Sequence, residues 1–216
     1  MKNPITYEHV DPALVGNHRR FLVSEVGGRT NIMLKAQELA IDLKKDSPET
    51  RKILQKVQEL ENEGYQFESA EASFELLVRK ITGKHKELFQ AKAKVLDETI
   101  GDKTANVTAT VTLTVRGKTQ KGVEKTGDGP IDALGKALRE ALAKFYPGIK
   151  EIQLEDYKVR IVNSKDGTAA KVRVVIEFRD KNSLWATVGV STNVIEASWK
   201  AMIDAYEYKL LKDAAS

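Results

Sequence analysis

ATVTLTVRGKTQKGVEKTGDGPIDALGKAL, residues 109–138, carries two periodicities in one run. From Val107 to Val115 threonine alternates with Val111, Leu113 and Val115, the period of a strand with one apolar face. From Pro130 on, Ile131, Leu134, Leu138 and Leu142 recur at helical spacing. KVRVVIEFRDKNSLWATVGVSTNVIEASWKAM, residues 171–202, repeats the scheme. Arg116 falls on Arg179. One extra residue then brings Asp132 onto Glu196, Ala133 onto Ala197 and Ala137 onto Ala201. A further strand precedes each copy, so the unit is β-β-β-α, twice. The fold class is α+β, with helices on one side of the sheet and a pseudo-twofold relation between the units.

Working outward, strands are expected at Ile152–Val162, Lys171–Phe178 and Ser183–Val190, and helices at Pro130–Tyr146 and Val194–Leu211. Upstream the pattern is helical. Pro48–Glu63 has Ser47 as N-cap, Pro48 at the first helical position, an Ile53, Leu54, Val57, Leu60 stripe, and Gly64 as its stop. A helix over Ala70–Thr82 follows, with Ser69 as its expected cap. Ile32, Leu34, Leu39, Ile41 and Leu43 suggest another, after Gly27-Gly28 and the apolar Phe21–Val23. Three regions result: an extended linker over 1–27, helical segments over 28–83, and the (βββα)2 domain over 84–216.

Composition narrows function more by exclusion than by signal. The chain has 216 residues, 41% hydrophobic and 31% charged, which is enough to build a packed core. There is no cysteine, so disulfides and thiolate chemistry are excluded. The apolar runs are too short to span a membrane, and the N-terminus lacks a secretory h-region, so a cytoplasmic location is expected. Net charge is +4, with basic and acidic residues interspersed. The expected strands show threonine and valine, with Phe178 and Trp185 isolated. An RNA-binding sheet needs exposed aromatics, so no nucleic-acid partner is expected. His9, His18 and His85 show no metal-ligand spacing, and no phosphate loop, dinucleotide motif or serine elbow is present. On motifs alone the chain is not a complete enzyme, and no cofactor or metal is expected in it.

Two local features remain. His9 and Asp11 fall on one side of an extended segment, where a carboxylate can orient a histidine for acid–base work; a surface histidine in a polar loop accounts for the same residues. In TGDGP, Gly127 and Gly129 bare the backbone at a helix start, where free N–H groups attract an anion. No lysine completes a phosphate loop. An α-carboxylate fits there, with Asp128 facing an α-ammonium. A plain helix start without ligand fits equally well.

The residues also resemble a known family. YEHVDPALVGN, LVSEVGGRTNI, ELENEGYQFESAEASFELL and the pair GDGPIDA and TNVIEAS together resemble the C-terminal region of citramalate synthases, within the α-isopropylmalate synthase / homocitrate synthase superfamily. The resemblance covers essentially the whole chain. It implies an acyltransferase whose catalytic barrel, with a divalent metal and the substrates acetyl-CoA and pyruvate, is absent here. The chain alone is then expected to be inactive. It also implies a homodimer in which His9, Asp11 and Asn17 reach the partner's barrel in acid–base and hydrogen-bonding roles, while Arg29 fixes a helix start. Feedback inhibition by isoleucine, or by leucine on the isopropylmalate side, is implied at Gly127, Asp128, Gly129, Pro130, Ile131, Ala133, Tyr157, Ala169, Asn193 and Val194. Asn193 stands where the family usually has aspartate, which puts one ammonium contact in doubt. A free-standing amino-acid sensor without a barrel is the alternative.

Overall fold

The structure, a computed structural model, describes residues 47–96 and 107–214, with Val10 and Leu14 besides. The readings placed on His9, Asp11, Asn17, Arg29 and the helix after Gly28 lie outside the described residues.

Helix α1 (Pro48–Glu63) begins as its sequence dictates. Ser47 Oγ accepts the Thr50 N–H at 3.2 Å, and Pro48 opens the first turn, where no N–H is needed. It ends at Gly64, φ 109°, whose N–H bonds Glu61 O while Tyr65 N–H bonds Leu60 O. That paired closure needs a left-handed residue, and glycine supplies it without strain. Helix α2 (Glu71–Ile81) starts one residue later than the sequence suggested. Its N-cap is Ala70, with no side-chain cap, so Ser69 does not perform that role. Ile53, Val57, Phe67, Phe74 and Val78 close a small core between the two helices.

The remainder is the expected (βββα)2 domain. Strands β1 (Gln90–Leu96), β2 (Val107–Val115) and β3 (Lys118–Gly127) form one antiparallel meander, followed by helix α3 (Pro130–Ala143). Strands β4 (Gln153–Ile161), β5 (Val172–Arg179) and β6 (Leu184–Ser191) form the second, followed by helix α4 (Val194–Asp213). A short 3-10 turn at Pro147–Glu151 connects the two units, and another at Ser164–Ala169 joins β4 to β5. Alternate residues of β2 are buried along its whole length, as the threonine pattern required. Helix α3 stops short of the expected Tyr146, because the chain tightens at Phe145 and Tyr146 before Pro147.

The single extra residue in the repeat has a structural origin. The β2–β3 hairpin turns on two residues, Arg116 at φ 49° and Gly117 at φ 77°, the geometry that matches strand twist. The β5–β6 hairpin pairs Arg179 with Leu184 and so holds a longer loop, Asp180 to Ser183. In β3 the register slips by one between the Val111 and Leu113 pairings, near Gly122 at φ 67°. The longer loop is cancelled by β6 being two residues shorter than β3, and the extra residue arises because Arg116 stands in its turn while Arg179 closes β5.

Both helices lie in one core with both sheets. Ala133, Ala137 and Ala141 of α3, and Ala197, Ala201 and Ala205 of α4, are buried at successive turns. Small side chains there let each helix sit close to its strands. Phe178 and Trp185 are not isolated: they stack at 6.4 Å and are buried within this core.

The helical hairpin docks on the free edge of β6. Ser73 Oγ accepts the Val188 N–H at 3.0 Å and donates to Asp204 Oδ2 at 2.8 Å, so one hydroxyl ties strand edge, α2 and α4 together. Lys80 lies 3.9 Å from Asp204 and 3.4 Å from Glu207, and His85 Nε2 lies 3.2 Å from Glu207. Burial pushes the Asp204 carboxyl up to about 6, against the pull of Lys80 and Ser73. A raised carboxyl pKa favours the fold at low pH, and that stability is lost as pH rises through 6. Linkage over that rise is worth roughly 1–3 kcal/mol, with a quarter of the side chain meeting solvent. Asp204→Asn is therefore expected to raise the thermal midpoint at pH 8 and leave it unchanged at pH 4. Equal gains at both pH values in calorimetric scans would contradict a burial penalty.

Candidate effector site

The two helix starts are built differently. At α4, Asn193 Oδ1 accepts the Ile195 N–H at 2.8 Å and the Glu196 N–H at 3.4 Å, so the side chain already fills the anion position. At α3 the N-cap is Gly129, which offers no side-chain acceptor. The Ile131 and Asp132 N–H groups belong to the first turn and lack intrahelical partners. What the copies share lies one turn in. Asp132 accepts the Asp128 N–H at 3.1 Å and Lys136 Nζ at 2.6 Å. Glu196 accepts from Ser191 Oγ at 2.8 Å and Lys200 Nζ at 2.9 Å. The Lys136 hydrogen bond is the main force that holds the Asp132 carboxyl below its usual range, against desolvation and with help from Asp128 N–H.

The two glycines of the loop have separate reasons. A Cβ on Gly127 would lie 2.4 Å from Ala133 N and 2.7 Å from Asp132 Oδ2, so its bareness is needed to seat α3 on β3. A Cβ on Gly129 would meet nothing within 4 Å. Only Gly129 leaves the space that the sequence reading gave to both.

Beside this helix start lies a cavity of about 510 Å³, between α3, β4, β5 and α4. Its apolar wall includes Ile131, Leu154, Tyr157, Ile176, Phe178 and Met202, and its polar side is Asp132, Lys136 and Arg139. That volume and that mix suit a small ligand with an aliphatic body and charged head. Tyr157 is fixed in place. Ser198 Oγ donates to Val194 O at 2.6 Å, which leaves the Tyr157 hydroxyl to donate to Ser198 Oγ, also at 2.6 Å. Tyr206 is buried beneath the cavity; burial raises its hydroxyl pKa while the adjacent Arg139 opposes the rise.

Of the sequence candidates, Ile131 and Tyr157 line this cavity. Gly127, Asp128, Gly129 and Pro130 frame the helix start that borders it. Val194 joins through the Ser198 link to Tyr157. Ala133 faces the core and is fully buried. Asn193 is spent as a cap, and Ala169 lies exposed in the turn before β5. Sequence reasoning missed Leu154, Ile176, Met202 and Arg139, which tertiary packing alone brings together. Asp132 was visible in the repeat, paired with Glu196, but its bonds to Asp128 N–H and Lys136 were not. Among the described residues no cluster of three His, Asp or Glu side chains can hold a metal ion, and no helix is long and apolar enough to cross a membrane.

Residues 68–210 match the LeuA allosteric (dimerisation) domain family. The chain belongs to that family. As a LeuA dimerisation domain it has close relatives. It is 49% identical over 215 residues to an (R)-citramalate synthase of Aquifex aeolicus, a match covering 99% of this chain and 40% of the relative. An (R)-citramalate synthase of Geobacter sulfurreducens is 47% identical over 213 residues, 98% of this chain and 40% of the relative. A 2-isopropylmalate synthase of Methanocaldococcus jannaschii is more distant, 27% identical over 218 residues, 98% of this chain and 39% of the relative. The chain thus spans about 40% of the length of the citramalate synthases it matches. The resemblance seen in the sequence motifs holds, and the LeuA dimerisation domain accounts for most of the chain.

Proposed function

We propose that the chain is the C-terminal regulatory and dimerisation region of a citramalate synthase, and that its cavity binds isoleucine as feedback inhibitor. The observation that carries the reading is the apolar cavity opening beside an uncapped helix start. An aliphatic side chain enters between Leu154, Ile176 and Met202. The α-carboxylate meets the free N–H groups of Ile131 and Asp132, with Lys136 adding charge. The α-ammonium faces Asp132, with Asp128 beside it. In the whole enzyme, acetyl-CoA and pyruvate are the substrates. The part played there by His9, Asp11 and Asn17 rests on the motif resemblance, and turnover of a barrel-bearing enzyme carrying His9→Ala tests it.

The dimer surface follows from β4. It is an edge strand, and Leu154, Val159 and Ile161 are 53%, 43% and 62% exposed. Its register places them opposite Phe178, Val174 and Val172, on the helix-bearing face. An apolar strip continuous with the cavity needs a cover, and a second copy supplies one.

Calorimetric titration of the dimer with isoleucine, leucine and valine tests the reading. Isoleucine is expected to bind saturably and at least tenfold more tightly than leucine, the range that one misplaced methyl group commands. Leu154→Trp, at a half-exposed wall position, is expected to weaken isoleucine at least tenfold without unfolding the domain. Leucine preference would move the chain to the isopropylmalate branch. No saturable binding would remove the effector site.

A further inference from the structure

We propose that a basic groove along α3 is a second ligand site, for an anion carrying a diphosphate. The groove has a volume of about 670 Å³, and six charged side chains line it: Lys125 from β3, Lys136, Arg139, Glu140 and Lys144 from α3 and its end, and Lys150 from the 3-10 turn. Five are cations and one is a carboxylate. Lys125 takes that carboxylate, Glu140, at 2.6 Å, and Lys136 is held by Asp132 at 2.6 Å. Lys144 and Lys150 make no ion pair among the described residues, and both act on Glu140 through space. Arg139 Nε is buried without a hydrogen-bond partner.

Charge at a helix C-terminus is a common way to offset the helix dipole, and it accounts for Lys144. It does not account for Lys125 and Lys150, which come from other elements and point their charge at the same space. Lys125, Lys144 and Lys150 converge on Glu140, which answers one of them. A single carboxylate ligand leaves an excess of cations, whereas adjacent phosphates match several at short range. Lysine serves phosphate as a point charge and arginine as a fork. The groove therefore calls for at least two linked negative charges. The site goes beyond the proposed effector role, yet Lys136 and Arg139 border both spaces, so an anion in the groove and a ligand in the cavity share one helix wall.

The test is calorimetric titration of the chain, at fixed ionic strength, with inorganic pyrophosphate, ADP and coenzyme A. At least one is expected to bind saturably, one per chain. Whichever binds most tightly identifies the source of the diphosphate. The double variant Lys144→Gln/Lys150→Gln is expected to weaken that binding at least tenfold. Lys92→Gln/Lys94→Gln, which removes the same charge from exposed positions on β1, is expected to leave it unchanged. Both substitutions lie at exposed side chains, so the fold is retained. Absence of saturable binding, or equal weakening by the two variants, overturns the proposal. Neither outcome bears on isoleucine binding, which is measured separately.

Discussion

Gly189→Ala is expected to destabilise the domain by about 3 kcal/mol, the upper part of the overpacking range. For a chain of this size that corresponds to a fall of roughly 6–12 °C in thermal midpoint. The inward residues of β6 meet α4 in a regular way. Trp185 Nε1 donates to Ala205 O at 3.2 Å, and Thr187 Oγ1 donates to Ala201 O at 2.8 Å. One step further along the strand, Gly189 faces Ala197 O. A Cβ there would lie 2.1 Å from that oxygen and 3.0 Å from Ala201 N. Both are backbone atoms, so no rotamer change relieves the contact. The helix must move away, and the Thr187 and Trp185 hydrogen bonds lengthen with it. The entropy that alanine removes from the unfolded chain, worth about 0.4–1 kcal/mol, offsets only part of this. Gly129→Ala is the control: its backbone is extended at φ −168° and the space around it is open, so its midpoint is expected to stay within about 2 °C of wild type. Equal midpoints for the two variants, in scanning calorimetry, would show that α4 slides without cost.

Much of this architecture was legible because it is written locally. Ser47, Pro48 and Gly64 mark both ends of α1, and the Val107–Val115 alternation fixes which face of β2 is buried. The repeat carries the topology, since alanines at matching places imply matching helix seats. The failures have two causes, a competing local turn in one case and long-range packing in the rest. Ser69 looks like a cap, but the chain bonds Ala70 N–H to Phe67 O and begins the helix after it. The cavity wall takes residues from α3, β4, β5 and α4, whose side-by-side placement no local pattern encodes. The Ser73–Asp204 bond links residues 131 positions apart. Gly127 was read as ligand access because its neighbour in space, the first turn of α3, is close only after folding. Local signals thus located the helix start beside the cavity, while packing decided which residues line it.

Lys209→Met is expected to be the most damaging polar change, at about 3–5 kcal/mol, the cost of stranding one partner of a buried pair. Lys209 and Asp180 have only 10% and 5% of their side chains exposed, and Nζ lies 2.8 Å from Asp180 Oδ2. The other oxygen, Oδ1, is already engaged by the Asn182 and Ser183 N–H groups at 2.8 Å each and by Ser183 Oγ at 3.1 Å. These bonds build the longer β5–β6 loop, the place where the second unit departs from the first. Burial pushes the Asp180 carboxyl up, but Lys209 and the loop donors outweigh it and hold the group well below the usual carboxylate range. A depressed pKa contributes stability that is present above the unfolded value near 4 and is lost as pH falls below it. Wild type should therefore lose stability on acidification below pH 4 more steeply than the variant, in which the pair is already broken. Methionine keeps the length of the lysine stem, so packing against α4 changes little and the loss isolates the charge. Asp180→Asn in the Lys209→Met background removes the stranded charge, and Asn Oδ1 still accepts from the loop. The double variant is expected to recover at least half of the loss in denaturant titration. If it recovers none, the damage comes from packing around residue 209, and the ion pair is not what holds the loop to the helix.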